Sequence, residues 1–332
     1  MVLVLPGEEY PNYDSMSYIK TDGGPFYTFN NFYLDNASDV QIDLKGSWIL
    51  IPKGYQYHHF LKEIFGTYLY YKNNVDRDIN VLWVEQPIDS PTGHNLELVN
   101  NELSSSIKPD KIHKIQISDI VTKNIKIEKL IIFSCNTRYF FSLESPNLFI
   151  KNYTFNNLGY YHFPEVNKEL RKFFEMYMHE DIRKPKKIFI TRRDANNAIR
   201  KNNRLKDFDN RYMDEWLDDT LENFFSSRGF EIVTLSGMSI KDQISYFYNA
   251  DVIAGVRGGN LCNTICSKDG TALMQININK LYSYPWEKEF DSVVGLNYMD
   301  LHLYEDISAE TVENALLKEY DEFLKKYDLG VK

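Results

Sequence analysis

Three short stretches of the 332-residue chain carry side chains at spacings suited to chemistry. The first is Ala250-Asp-Val-Ile-Ala-Gly-Val-Arg-Gly-Gly-Asn-Leu-Cys-Asn263. A hydrophobic run enters a turn at Gly258 and Gly259, and Asn260 and Leu261 open what reads as a helix. Glycine lets a ligand approach the backbone, and amides at a helix start carry partial positive charge, so with Arg257 the segment suits an anion. It suits an ordinary strand-to-helix turn equally. The spacing is neither G-x-G-x-x-G nor G-x-x-x-x-G-K-[ST], which sets aside the dinucleotide and P-loop readings. The second stretch, Lys187-Ile-Phe-Ile-Thr-Arg-Arg-Asp-Ala195, is a strand ending in Arg192 and Arg193. Adjacent guanidinium groups can grip a diphosphate bidentately, or simply form a solvated basic turn paired with nearby acids. The third, Tyr55-Gln-Tyr-His-His-Phe-Leu-Lys-Glu63, sets His59 and Glu63 four residues apart, within reach on one helix face. Imidazole can take a proton from a hydroxyl while a carboxylate fixes its tautomer; the alternative is a half-buried histidine satisfied locally.

Other polar groupings point to less. Asp76-Arg-Asp78 and Asp207-Phe-Asp209 do not end strands, and such triplets arise easily in an acidic chain, so no metal site is expected. Asp218-Asp219 reads as a solvated helix face. Cys135, Cys262 and Cys266 are too few for a disulfide framework; the last two, four apart with no histidine nearby, read as small buried residues.

These stretches need elements to hold them. Residues 47–52, 80–84 and 129–133 read as strands, with helices over 56–72 and 95–106. Residues 1–45 read as short strands and loops. A connection at 152–164 and a helix over 165–178 lead to a clearer alternation. It comprises strands at 187–191, 230–235, 251–255 and 272–277, with helices at 212–227, 239–249 and from about 260. Met213, Trp216, Leu217, Leu221, Phe224 and Phe225 share one face of the 212–227 helix, and Ser239 with Asp242 forms a capping pair. A final helix spans 308–327. Alternation of this kind implies parallel sheets covered by helices.

Composition agrees with a folded chain: 43% hydrophobic and 26% charged. The formal net charge of −9 gives no general attraction to phosphate backbones, so nucleic acid is not an expected partner. The apolar run Met1-Val-Leu-Val-Leu-Pro6 is too short for a signal peptide, and no transmembrane stretch is present, so a cytoplasmic protein is expected. At 15% aromatic residues, either a ring-rich core or sugar-stacking surfaces are in view.

Taken in order, the segments resemble glycosyltransferase family 61. The family shows a strand followed by S-R-x-x-A-x-x-R, then G-F, a Q, and A-D-x-[VI]-x-G-x-H-G-A-G-L-x-N. The counterparts are Thr191-Arg192 with Ala195, Gly229-Phe230, Gln243, and Ala250 through Asn263. Leu273-Met-Gln275-Ile matches a later hydrophobic-Glu-hydrophobic strand, Val294-Gly-Leu-Asn-Tyr298 matches L-G-L-x-Y, and Tyr57 through Glu63 resembles Y-H-[FW]-L-x-[DE]. Arg257 stands where the family has histidine, and Gln275 where it has glutamate.

The resemblance implies an α/β GT-B architecture: two Rossmann-like domains facing across a cleft, with a closing helix. The expected divisions are an acceptor-side domain at 1–160, a nucleotide-sugar domain at 161–306 and the helix at 307–332. It also implies inverting, metal-independent transfer of a hexose or pentose from a UDP-linked donor to a glycan hydroxyl on a capsule, lipid-linked or protein-linked acceptor, with no further cofactor. Arg192, Arg193, Arg257, Gly258, Gly259, Asn260, Leu261, Asn263 and Gln275 would hold the donor. His59, oriented by Glu63, would be the base. The alternatives are an inactive nucleotide- or glycan-binding module, or a pyruvyl- or phosphotransferase on the same architecture.

Overall fold

The computed structural model describes residues 16–21, 24–34, 41–52, 61, 65–85, 105–116, 125–133, 164–201, 213–278, 290, 293–303 and 308–327. The chain divides into two compact units, one of residues 1–88 with 103–170, the other of 89–102 with 171–332.

The first unit is built on β1 (Met16–Thr21), β2 (Gly24–Leu34), β3 (Ile42–Pro52), β4 (Asn80–Glu85), β5 (Ile112–Gln116) and β6 (Ile125–Phe133). Their order is β1-β2-β6-β3-β4-β5. The four strands β6, β3, β4 and β5 are parallel, and β1 and β2 extend the sheet antiparallel. The wholly parallel sheet expected here is therefore mixed. The β1–β2 hairpin at Thr21 and Gly24 adds to β6 through pairs such as Phe26 with Phe133, a contact between distant parts of the sequence. Helix α1 (Gly66–Asn74) leads from β3 toward β4. It covers the carboxyl-terminal part of the expected 56–72 helix and runs on to Asn74. Residues 53–60 and 62–64, which carry His59 and Glu63, lie outside the described residues, as do Cys135, Asp207 and Asp209.

The second unit holds β7 (Lys187–Ile190), β8 (Glu231–Val233), β9 (Val252–Val256), β10 (Ala272–Asn277) and β11 (Asn297–His302). All five are parallel, in the order β11-β10-β9-β7-β8. The helices are α2 (Pro164–Phe174), which leads into the unit, α3 (Arg193–Lys201), α4 (Glu215–Ser226), α5 (Ile240–Asn249) and α6 (Ala309–Lys326).

Side chains alternate across each strand, and so do the two layers that cover this sheet. Phe189, Val252, Ala254, Ala272, Met274 and Ile276 face α4 and α6, packing with Leu221, Phe225, Val312 and Phe323. Phe189 stacks on Phe225 at 4.6 Å between ring centres, and Phe230 and Tyr320 meet that ring edge-on. Ile188, Ile190, Ile253 and Leu273 face the other way, against Phe247 of α5 and Leu261. Each fully buried ring of this kind contributes about 1.5–3 kcal/mol through removal of apolar surface from water. These described rings make core rather than sugar-stacking surface.

Capping behaves as the sequence indicates. Ser239 Oγ accepts from Asp242 N at 3.1 Å, and Ser308 Oγ from Thr311 N at 3.3 Å. Asp218 does not. Its side chain is 2% exposed, accepting from Asn196 Nδ2 at 2.8 Å and from Arg200 Nη2. Burial raises the Asp218 carboxyl, while Arg200 and Asn196 oppose that shift. The expectation of a solvated Asp218-Asp219 face is thus corrected for Asp218, the inner tie between α3 and α4, and holds for Asp219, which is exposed while pairing with Arg193.

Candidate functional site

The strand order of the second unit reverses beside β7. From β7 the chain passes to β8 on one side, and β9 lies on the other, so the connections leave the carboxyl ends of β7 and β9 in opposite directions. In open parallel sheets the crevice at such a point is where ligands bind. Both motif-bearing segments end there: β7 at Ile190, followed by Arg192, and β9 at Val256, followed by Arg257 and Gly258.

Strand parity separates the two adjacent arginines. Thr191 and Arg193 continue the side of Phe189, toward α4. Thr191 Oγ1 lies 2.5 Å from Glu222 Oε1, and Arg193 Nε lies 3.0 Å from both oxygens of Glu222, with Nη2 at 2.6 Å from Asp219 Oδ1. Glu222, then Asp219, hold the Arg193 guanidinium more firmly protonated than usual. Arg192 takes the opposite side. Its Nη1 donates to the Arg257 carbonyl at 3.3 Å, linking the ends of β7 and β9. Arg192 thus lies on the side of the sheet away from Glu222 and Asp219, whereas Arg193 is engaged by both of those carboxylates.

The turn after β9 is shaped around that guanidinium. A Cβ at Gly258 would lie 2.6 Å from Arg192 Nη1 and 2.9 Å from Asn260 Oδ1, so only glycine fits without displacement. Gly255, three residues earlier on β9, is also tightly enclosed: a Cβ there would meet Leu261 Cδ2 at 3.1 Å and Ile190 O at 3.2 Å. Leu261 is thus a packing residue that closes the turn over β9, as well as a neighbour of the crevice. The helix expected from about 260 is a 3-10 helix over Gly259–Cys266. Leu261 N–H is spent on Gly258 O at 3.0 Å, and the amides of Gly259 and Asn260 are those that helix geometry leaves without an internal acceptor. Both side-chain polar atoms of Asn260 are buried and make no hydrogen bond.

Asn263 sits elsewhere. It is fully buried, and its Nδ2 donates to Gln243 Oε1 of α5 at 3.0 Å, while Gln243 Nε2 reaches Met238 O at 3.2 Å. This pair anchors the 3-10 helix from behind. At its far end Arg171 donates to the carbonyls of Ile265 and Ser267, satisfying the helix C-terminus. Cys262 and Cys266 are buried and form no disulfide, and burial pushes the Cys266 thiol well above its ordinary range. Among the described residues no three His, Cys, Asp or Glu side chains form a group able to hold a metal ion, and no helix is long and apolar enough to cross a membrane.

Gln275 of β10 shares the Arg192 side of the sheet, in register with Gly255 on β9 and Asp300 on β11. It is 1% exposed, and its Nε2 donates to Asp300 Oδ1 at 2.9 Å and to the Tyr298 hydroxyl at 3.1 Å. Asp300 is a residue that motif reading passes over. The signal for it lies only in the pairing register of β10 with β11.

No curated protein matches the chain. The sequence profile of one family, glycosyltransferase 61, matches residues 57–274, about two thirds of its length and a span that takes in the histidine-bearing segment, both arginine-ended strands and the Gly-rich turn. By that match the chain belongs to the glycosyltransferase 61 family.

Proposed function

We propose that this glycosyltransferase moves a sugar from a UDP-linked donor to a hydroxyl of a glycan acceptor, with inversion and without an essential metal ion. The observation that carries the reading is the Arg192 guanidinium bonded across the reversal point of a parallel sheet, packed against the Gly258 turn with no room for a side chain between them. In the transfer the acceptor oxygen bonds to the anomeric carbon as that carbon's bond to the donor phosphate breaks, and the diphosphate departs with the electron pair. Arg192, Arg257 and the amides of Gly259 and Asn260 would bear the charge that develops there. The acceptor proton would pass to His59, which follows the carboxyl end of β3, with Glu63 fixing its tautomer. The fold would be of the GT-B kind, with α6 as its closing helix. The acceptor would be a capsule, lipid-linked or protein-linked glycan, met in the cytoplasm.

The test is a panel of UDP-, GDP- and CMP-sugars, read by nucleotide release in the presence of acceptor glycans, with and without excess EDTA. We expect one UDP-sugar to turn over at an undiminished rate in EDTA. A complete loss restored by magnesium would overturn the metal-free mechanism. Nucleotide binding without turnover would make the chain a binding module, and stabilisation by phosphoenolpyruvate instead would make it a pyruvyl-transferring enzyme.

Gly258→Ala probes the crevice directly. Its methyl must displace the far end of Arg192 rather than backbone, so the fold should tolerate it while donor affinity falls about tenfold through one lost charge-assisted bond. Thermal unfolding and donor KM, measured together, check this; an unchanged KM would place the donor away from Arg192.

A further inference from the structure

The face of the second sheet that carries Arg192 is apolar over Ile188, Ile190, Ile253 and Leu273, yet toward its carboxyl edge it becomes polar across two neighbouring strands. Gln275, Asn277 and Asp300 meet there. Asp300 Oδ1 accepts from Gln275 Nε2 at 2.9 Å and from Asn277 Nδ2 at 2.6 Å. Gln275 and Asn277 are 1% and 3% exposed. Two features of this group are unusual. Gln275 Oε1 is buried and makes no hydrogen bond, and no cation lies within ion-pair distance of Asp300 among the described residues. A buried acceptor without a donor is costly, and a carboxylate neutralised only by amides still has a second oxygen to offer.

Resting on the reading of the crevice as a nucleotide-sugar site, we infer that Asp300 and Gln275 form its hydroxyl-reading end and receive the vicinal hydroxyls of the donor's ribose. The chemistry is one-sided. Gln275 Oε1 and the Asp300 carboxylate only accept, so they suit O–H donors and repel phosphate, while the Arg192 and Arg257 guanidinium groups only donate and suit phosphate. The ligand must then be anionic at one end and hydroxylated at the other. Position supports the same division. Neighbouring strands are about 5 Å apart, so β11 lies about 10 Å from β9 along one edge, comparable to the span between the terminal phosphate and the ribose hydroxyls of a nucleoside diphosphate. Parity keeps both ends on one face: Arg257 continues the side of Ile253 and Gly255, with which Gln275 and Asp300 are in register.

The experiment compares binding of UDP, 2′,3′-dideoxy-UDP and pyrophosphate to the full chain by calorimetry, for the wild type and Asp300→Asn. The wild type should hold UDP at least about tenfold more tightly than the dideoxy form, because a site built around hydroxyls rejects a ligand that lacks them. Asp300→Asn should bring that ratio close to one and leave pyrophosphate affinity unchanged. Equal wild-type affinity for the two nucleotides, or a ratio that survives Asp300→Asn, overturns the inference while pyrophosphate binding upholds the crevice. Failure of both UDP and pyrophosphate to bind the wild type removes the crevice reading and this inference together. Should the variant not fold, the wild-type ratio decides alone.

Discussion

Arg192→Ala is expected to lower kcat/KM by about 10²–10³-fold, with most of the loss in kcat. That size follows from removing one preorganised donor from the place where negative charge develops. The ground-state diphosphate is already charged, so KM rises too, but the leaving group gains charge in the transition state and feels the missing guanidinium more. Arg192 donates to the Arg257 carbonyl, and its truncation also loosens the turn, so Arg192→Lys belongs beside it: a lysine restores charge without the planar fork and should recover only part of the rate. Arg193→Ala is the contrast. Its guanidinium is held by Glu222 and Asp219, and its removal should lower the unfolding temperature while leaving donor KM close to that of the wild type. Steady-state kinetics on the three variants check the set. If Arg193→Ala lost rate as heavily as Arg192→Ala, the strand parity that separates them would have no functional meaning.

That separation was not available from the sequence, where Arg192 and Arg193 form a single basic pair. Their types and place after a hydrophobic strand were legible because such runs need no long-range information. Which arginine turns toward the crevice depends on the alternation continuing past Ile190 and on Glu222, about thirty residues on, waiting on the other side. Helix α3 was invisible for a related reason. Arg193-Asp-Ala-Asn-Asn is polar on every side and rich in poor helix formers, and its helical state rests on tertiary ties from Asn196 and Arg200 to the buried Asp218. A side chain read as solvated proved to be the anchor, since charge alone does not reveal a partner on another helix.

The Gly-rich turn shows both outcomes in one segment. Gly258 and Arg257 stand where the motif indicated, at the end of a buried strand. Asn263, grouped with them by spacing, is committed to Gln243, a pairing that needs α5 folded back against the 3-10 helix. Asp300 marks the limit of motif reading, because its meaning comes from lying beside Gln275 in a register that sequence spacing does not supply. The β1–β2 addition to the first sheet is the same problem at larger scale.

His59→Ala is expected to reduce turnover by about 10²–10⁴-fold, the range for loss of a positioned general base, while donor binding stays near wild type. In the first unit β3 lies between β4 and β6, and the order β5-β4-β3-β6 makes the carboxyl end of β3 the reversal point of its parallel part. The chain leaves β3 at Pro52, at the edge where such sheets place functional groups, and His59 follows seven residues later in the sequence. On the proposed reading the arginines and amides of the second unit would hold the donor, and the acceptor's proton would pass to His59. Imidazole is suited because it changes protonation near neutral pH, and Glu63 four residues on can hold its tautomer. Glu63→Gln should therefore cost less than His59→Ala and shift the pH–rate profile, since an amide keeps the hydrogen bond without stabilising imidazolium. Pre-steady-state nucleotide release and donor titration separate the two quantities. A variant that loses donor affinity and turnover in equal measure would mean His59 supports the fold of its unit instead of taking the proton.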